Sequence, residues 1–499
     1  NGAVSAAALT DRGLRVGLAE RADFAAVTSQ ESSNLVWGGF KYLENYELPL
    51  VFKLCRSRNH LMKAYPTGIK EIGFLATLDE TAPFPSWLAA LGSLAYWGIG
   101  AFATARPRYH RPAAIKRLEP VIETGTANAA IDYADAYLPD NDARFVWNFI
   151  RSAIDGGADA ANYVEVANMA RRDDGTWVVD LVDVTDGRTM TATADSIVNA
   201  AGPFVDGLNK LLGVTTEHKI VYSKGIHLIV PRLTSSDRVL AFFDDTQRLF
   251  YVIPMAHRSV IGTTDTRTTE PQAPVTDEDR EFLLGQINAR LDLDQPLTVD
   301  DIIAERSGVR PLVVTAGDDS HDEVDWTSLS RKHEIEFDRE HGVVSIFGGK
   351  LTDCLNVGDE VVEAVSNLGL RFGDGTEGWF GEPPTVDREA FYRRAAAVGL
   401  DRRPDVELAD TLAEVLWRRH GSAANEVVDA VAADPALAEP VLADSDVLRA
   451  ELPLFTRREM IVRVDDFLRR RTKLSLIHRR DDLMNDPGMP EVIAAFDRP

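Results

Sequence analysis

Residues 2–13 form a run of small and apolar side chains closed by Gly13, a pattern that predicts a helix able to lie close against a sheet. Residues 14–20 then read as a short buried strand ending in an acid, Glu20. Helix, then strand with an acidic end, is half of a dinucleotide-binding unit. Its usual preamble is a strand and a G-x-G-x-x-G turn, of which Gly2 can be only the last glycine. Glu20 follows Gly2 by 18 positions, close to the usual spacing of about 20. Any buried helix before any strand gives the same pattern. The first three residues, Asn1-Gly2-Ala3, sit mid-motif, so the sequence reads as cut at its N-terminus.

The segment 28–44 (TSQESSNLVWGGFKYLE) is rich in Ser and Gly and then amphipathic. Its hydroxyls and amides suit phosphate binding; the alternative is a capped loop leading into a helix, with Ser32 or Ser33 as N-cap. Residues 83–104 carry no charge and approach the length of a membrane span. Gly, Ala and Ser dilute the run, Pro83 and Pro85 open it, and Arg106, Arg108 and Arg111 close it. A buried helix pair or a surface helix dipping into lipid is favoured over a spanning helix, because no other segment resembles a span.

From about residue 157 the pattern turns to short alternating runs separated by Asp-Gly turns: 163–166, 177–182 and 191–198, leading into Asn199-Ala-Ala-Gly-Pro203. A second block at 220–231, 239–244, 248–254 and 259–264 predicts antiparallel strands covering a cofactor. Residues 306–312 (RSGVRPL) read as a turn carrying Arg310, 334–337 and 342–347 as a hairpin, and 348–352 (GGKLT) as the opening of a helix reaching about residue 368. After a Gly/Glu/Pro-rich linker at 373–384, helices are expected at 388–398, 405–420, 423–433 and 457–471.

With 499 residues, 45% hydrophobic and 26% charged, the chain is an ordinary globular protein of two to four domains. A net charge of −24 repels phosphate backbones and argues against nucleic acid as a partner. Cys55 and Cys354 lie far apart with no zinc-ligand spacing, so no metal and a reduced compartment are expected. No cleavable signal peptide is visible.

Seven blocks in order carry a resemblance: NGAVSAAALTDRG, TSQESSNLVWGGFKYLENYEL, VNAAGPFVD, KGIHLIVP, FYVIP with IGTTD, SGVRP, and FGGKLT. EMIVRVDDFLRRRTKL near the end adds to them. The chain resembles the flavin-dependent, aerobic glycerol-3-phosphate dehydrogenases of the glycine-oxidase-like FAD superfamily. The resemblance implies an α/β fold. Its FAD-binding, Rossmann-like domain would take 1–70, 140–205 and 340–370. An antiparallel-sheet substrate domain would take 71–139 and 206–339, and an all-α C-terminal domain 385–499.

The implied cofactor is FAD, with Gly2 and Glu20 serving the pyrophosphate and ribose. Thr28, Ser32 and Ser33 lie near the cofactor, Val166 beside the adenine through its backbone, and Ala201 and Gly202 where the chain passes close. Gly349, Lys350, Leu351 and Thr352 open a helix toward the flavin. The implied substrate, glycerol 3-phosphate, is a dianion that needs cations, preferably forked arginine. Arg310, Lys350, Lys41, Tyr42, Arg331 and Thr352 match that need. A structural ion pair is the alternative for Arg310. A surface lysine is the alternative for Lys350, though one poorly placed for the helix dipole. His227 is the implied base, titrating near neutrality, with Arg310 and Lys350 stabilising the alkoxide; a satisfied strand histidine is the alternative.

Electrons would pass to a quinone or another acceptor. The chain would sit in the cytoplasm, peripherally on the inner membrane, with residues 87–102 as one contact and a homodimer as a further expectation. Lys41 stands where Arg is common, Asn34 and Trp37 replace a Lys and a His, and Asp353-Cys354-Leu355 replaces Thr-Tyr-Arg. The pocket thus holds fewer cations than the family pattern. This keeps two alternatives open: an amine or 2-hydroxy-acid oxidase in which Arg310 grips a carboxylate, and a catalytically weak flavoprotein paralogue.

Overall fold

The structure, a computed structural model, describes residues 1–43, 46–125, 127–245, 247–317, 332–376, 378–403 and 410–496. The opening helix runs Gly2–Asp11 and is buried along almost its whole length. Its small side chains let it pack against helices Asp142–Asp155 and Cys354–Asn367, around a core that includes Phe145, Trp147, Phe149 and Val361. Strand Gly17–Glu20 pairs in parallel with Asp159–Asn162, which sets Glu20 opposite Asn162. A second parallel pair joins Ile197–Asn199 to Val343–Phe347, and the expected hairpin adds Glu334–Asp338 to it. The expected meander is present as Val164–Arg171, Trp177–Asp183 and Thr189–Ala194.

The second β-rich block forms one large, mostly antiparallel sheet. Its order is Thr266–Thr268, His218–Pro231, Arg258–Gly262, Leu249–Met255, Val239–Phe243, Lys70–Leu78, Ala129–Tyr137 and Leu35–Val36, with Ala304–Thr315 also pairing with His218–Pro231. Both faces are buried, so successive residues sort to opposite cores. Phe74, Ala76 and Tyr133 face helices Leu48–Ala64 and Ser86–Ile99. Leu75, Leu228 and Phe242 face helix Asp277–Arg290. Burial on both sides is why these strands read as continuous apolar runs.

Four sequence expectations change. Residues 306–312 are not a turn: they lie inside strand Ala304–Thr315, in register with His218–Pro231 throughout. The Gly-Val-Arg-Pro punctuation misleads because this strand has one partner, so Pro311 withholds no inner ladder bond. The 28–44 segment leads to no helix capped at Ser32 or Ser33; a 3₁₀ turn Thr28–Gln30, strand Leu35–Val36 and a 3₁₀ turn Phe40–Leu43 precede helix Leu48–Ala64. Residues 457–471 are not one helix but the end of Leu452–Arg458 and, further on, a π-helical turn Asp466–Arg471. The uncharged run forms one helix, Ser86–Ile99, that buries Ala89, Ser93 and Tyr96 while Trp87, Leu88, Leu91 and Leu94 stay exposed. No helix among the described residues is long and apolar enough to cross a membrane.

Helices Thr385–Ala397, Leu412–His420 and Ala424–Ala433 share their own core around Phe391, Trp417 and Val427. Residues 405–409, which begin the expected 405–420 helix, fall outside the described residues.

Candidate active site

A cavity of about 2240 Å³ runs from the opening helix to the large sheet. That is well above the roughly 300–1,000 Å³ of a drug-sized pocket and suits a dinucleotide. Gly2, Glu20, Thr28, Ser32, Ser33, Val166, Ala201, Gly202, Gly349, Lys350, Leu351 and Thr352 all line it.

One end of the cavity is built from backbone and small residues. The helix N-terminus at Gly2 offers peptide N–H groups and a positive dipole end to an anion. Glu20 closes its strand there; its carboxylate accepts from the Ala22 N–H at 2.9 Å, and burial pushes its pKa up. Thr28 donates to the Val309 carbonyl at 2.7 Å, tying this loop to the large sheet. Ser32 is fixed by its N–H to Asp142 at 2.8 Å and by its hydroxyl, which accepts from the Asn34 N–H at 3.1 Å. Gly349 holds φ +110, and a Cβ there would sit 3.2 Å from the Asn1 Oδ1. Glycine is what this approach of two chain segments requires. These features fit FAD: dipole for pyrophosphate, acid for ribose, bare backbone for close contact.

The other end carries charge. Arg310 extends from its strand directly across from Ser223. Its guanidinium donates to the Thr263 hydroxyl at 2.8 Å, the Thr264 carbonyl at 3.3 Å, Asp265 at 3.4 Å and the Ser223 hydroxyl at 3.5 Å. Gly225 makes room for it, since a Cβ there would lie 2.1 Å from Nη2. Lys350 stands 3.8 Å from the Tyr42 ring centroid and donates to the Tyr42 hydroxyl. Thr352 is buried and donates to the Trp37 carbonyl at 3.1 Å. Arg310, Lys350, Lys41 and Tyr42 share the cavity. Arg310 thus has its structural ion pair and faces the cavity as well.

Two supports of this end were not expected. Asp135, fully buried, accepts from Arg58 at 3.0 Å, the Tyr96 hydroxyl at 2.6 Å and the Gly38 N–H at 3.1 Å, which fixes the turn before Lys41 and Tyr42. His333 lies 2.7 Å from Glu360 and 3.1 Å from Asp353, the residue that follows Thr352. Burial works against the charged His333 ring, but the two carboxylates outweigh it and raise its pKa. Thr263 and Asp265 stood inside the quoted IGTTD block without a role. No local signal joins Asp135 to Gly38, or His333 to Asp353.

His227 does not join the cluster. It is 2% exposed, opposite Arg306 and Gly262 in the sheet, and neither ring nitrogen has a hydrogen-bond partner among the described residues. Burial, with Arg306 and Arg310 nearby, holds its pKa well below the ordinary value. The expected titration near neutrality is therefore corrected. Asn34, counted among the missing cations, is structural. It holds φ +59, accepts from Arg306 at 2.9 Å and donates to the Asp140 carbonyl at 3.2 Å. Arg331 lies outside the described residues.

Residues 1–353 match the family model described as FAD dependent oxidoreductase. The chain belongs to that family. Residues 380–495 of this oxidoreductase match the C-terminal domain of alpha-glycerophosphate oxidase. Among relatives, the aerobic glycerol-3-phosphate dehydrogenase of Escherichia coli is 30% identical, over 95% of this chain and 92% of its own. The D-erythritol 1-phosphate dehydrogenase of Brucella abortus is 28% identical over the same shares. The FAD-complexed glycerol-3-phosphate dehydrogenase structure from Bacillus halodurans superposes with a TM-score of 0.72 at 23% identity, covering 98% of this chain and 86% of that one.

Proposed function

We propose that this oxidoreductase converts sn-glycerol 3-phosphate to dihydroxyacetone phosphate and delivers the electrons to a membrane quinone. The observation that carries the reading is that Arg310 and the Lys350–Tyr42 pair share one cavity with the dinucleotide end. Bound FAD supplies the two-electron acceptor for the C2 hydride. Gly2 and Glu20 would hold its pyrophosphate and ribose. Thr28, Ser32, Ser33, Val166, Ala201, Gly202 and the Gly349–Lys350–Leu351–Thr352 turn, which line the same cavity, would supply its other contacts.

Arg310, Lys350 and Lys41 grip the phosphate, with Tyr42 and Thr352 adding hydroxyls. Cations already in place stabilise the negative charge that develops on the C2 oxygen without rearranging. The long Arg310 contacts to Asp265 and Thr264 are exchanged for phosphate oxygens, which accept more strongly. Burial favours the neutral His227 ring, as an acceptor of the hydroxyl proton requires, but its side chain is sealed in the sheet opposite Gly262. Unchanged turnover in His227→Gln removes it from the mechanism.

The test is an anaerobic spectrum of the purified holoenzyme. Glycerol 3-phosphate should bleach the flavin, whereas amino acids and 2-hydroxy acids should not. D-Erythritol 1-phosphate, the substrate named for one relative, is the comparison that sets the chain length accepted. Bleaching by glycine or lactate alone would reject the phosphate reading.

We also propose that the exposed apolar face of helix Ser86–Ile99 makes the peripheral membrane contact. Trp87, Leu91 and Leu94 are 62%, 56% and 43% exposed, an apolar set that suits the lipid boundary. Replacing all three with Ser should abolish sedimentation with liposomes; undiminished binding would rule this face out.

A further inference from the structure

The C-terminal helical region meets the cofactor end through charge. Its π-helical turn Asp466–Arg471 ends in three consecutive arginines. Asp23, three residues after Glu20, is buried at 1% exposure. Its carboxylate accepts from Arg470 Nε at 2.5 Å, from Arg471 Nη1 and Nη2 at 2.8 and 2.9 Å, and from Asn162 at 2.8 Å. Asn162 is the residue paired directly with Glu20. Arg470 also donates to the Gln30 side-chain carbonyl at 3.2 Å. Arg469 donates to the Gln30 backbone carbonyl and lies 3.4 Å from Glu31.

The arginines therefore hold both ends of residues 23–31. The stretch Phe24–Thr28 between those ends lines the cavity, while Arg469, Arg470 and Arg471 do not. Inside the segment, regular backbone bonding amounts to Ala26 N–H to the Asp23 carbonyl and the 3₁₀ turn at 28–30. A loop with so few bonds of its own takes its shape from outside. The arginines are themselves anchored. Arg471 lies 4.1 Å over the Trp147 ring and donates to the Glu459 carbonyl at 2.9 Å. Arg470 pairs with Asp466 at 2.5 Å, and Asp466 accepts from the Tyr163 hydroxyl at 2.7 Å.

We propose that Arg469, Arg470 and Arg471 are positioning residues for FAD: they fix the 20–31 loop, and with it Glu20 and Thr28, so cofactor affinity is set partly by the C-terminal region. Arg418 marks the contrast. It joins the same two regions through Asp140 at 2.9 Å, outside the loop, and pairs with Asp410 of its own region at 2.9 Å.

The test uses full-length protein and the FAD dissociation constant, read from flavin fluorescence, beside the melting temperature of FAD-free protein. Arg471→Met should raise the dissociation constant about tenfold, equivalent to about 1.4 kcal/mol. Arg418→Met should lower the melting temperature while leaving FAD affinity unchanged. Combined with Glu20→Gln, Arg471→Met should cost less affinity than it does alone, because the group it positions is already disabled. Should Arg471→Met fail to fold, Arg470→Gln serves as the variant, with Arg470→Lys expected to recover most of the affinity. The proposal is overturned by wild-type FAD affinity in the Arg471 or Arg470 variants, by an equal loss in Arg418→Met, or by full additivity with Glu20→Gln.

Discussion

Arg310 and Arg471 are both paired with aspartate, yet their surroundings differ in one respect. Arg471 is 1% exposed, grips Asp23 with two nitrogens at 2.8 and 2.9 Å and stacks on Trp147. The Arg310 side chain is a quarter exposed, and its contacts to Ser223, Thr264 and Asp265 span 3.3–3.5 Å. Long contacts at a cavity wall can be traded for a phosphate without stranding a charge. Short ones sealed in the interior cannot, because removing a partner leaves an uncompensated ion. Geometry of this kind separates an arginine open to the cavity from one sealed behind it.

The contrast breaks most easily at Arg310. Arg310→Ala should lower kcat/KM for glycerol 3-phosphate by about a thousandfold, about 4 kcal/mol, with FAD content unchanged; lost FAD beside normal substrate handling would reverse its assignment. Arg471→Met should instead act on the fold, lowering unfolding free energy in denaturant by about 3–5 kcal/mol. A change under about 1 kcal/mol would show that the Asp23 cluster is not held as tightly as its distances indicate.

Gly225→Ala sharpens the comparison from the neighbouring strand. The new methyl would meet the Arg310 guanidinium within 2.1–2.4 Å, and the flexible side chain should move rather than the sheet. The expectation is a roughly tenfold fall in kcat/KM with stability changed by less than about 1.5 kcal/mol; unaltered kinetics would mean that Arg310 does not act from its present position.

The smallest effect is titrational. The His333 pKa is raised, so its contribution is present below the ordinary histidine value of about 6.5 and fades as pH rises through the raised one. The Asp353 pKa is lowered to about 2, with the nearby His333 ring and Lys53 outweighing burial. Its contribution is present above the ordinary aspartate value of about 3.9 and is lost as pH falls through the lowered one. The His333 contribution should therefore be larger at pH 5 than at pH 9, and His333→Gln should lower stability more at pH 5 than at pH 9. An identical slope in the variant would remove this cluster from the pH dependence.

Much of the architecture could be read along the chain because its signals are local. The small-residue helix, the Asp-Gly meander and the hairpin before Gly348 depend on neighbours a few residues apart. Arg310 was expected on a turn and stands in a strand, because Gly308 and Pro311 punctuate a strand whose outer edge tolerates them. Asn34 looked like a lost cation, whereas its left-handed backbone and its bonds to Arg306 and Asp140 give it a scaffold role. His227 looked like a base by its strand motif, and only the depth of the sheet shows it sealed. Asp23 drew no notice, since its partners stand in another region of the chain.

That distance has a consequence for synthesis. Asp23 meets Arg471 across 448 positions, so a ribosome releases the acid long before the base that neutralises it. A nascent chain can assemble its sheets while the 23–31 loop still lacks its partners, and the last helical turns supply them. On the proposed role of these arginines, FAD affinity would reach its full value only at the end of translation, and prematurely terminated chains would hold the cofactor more weakly.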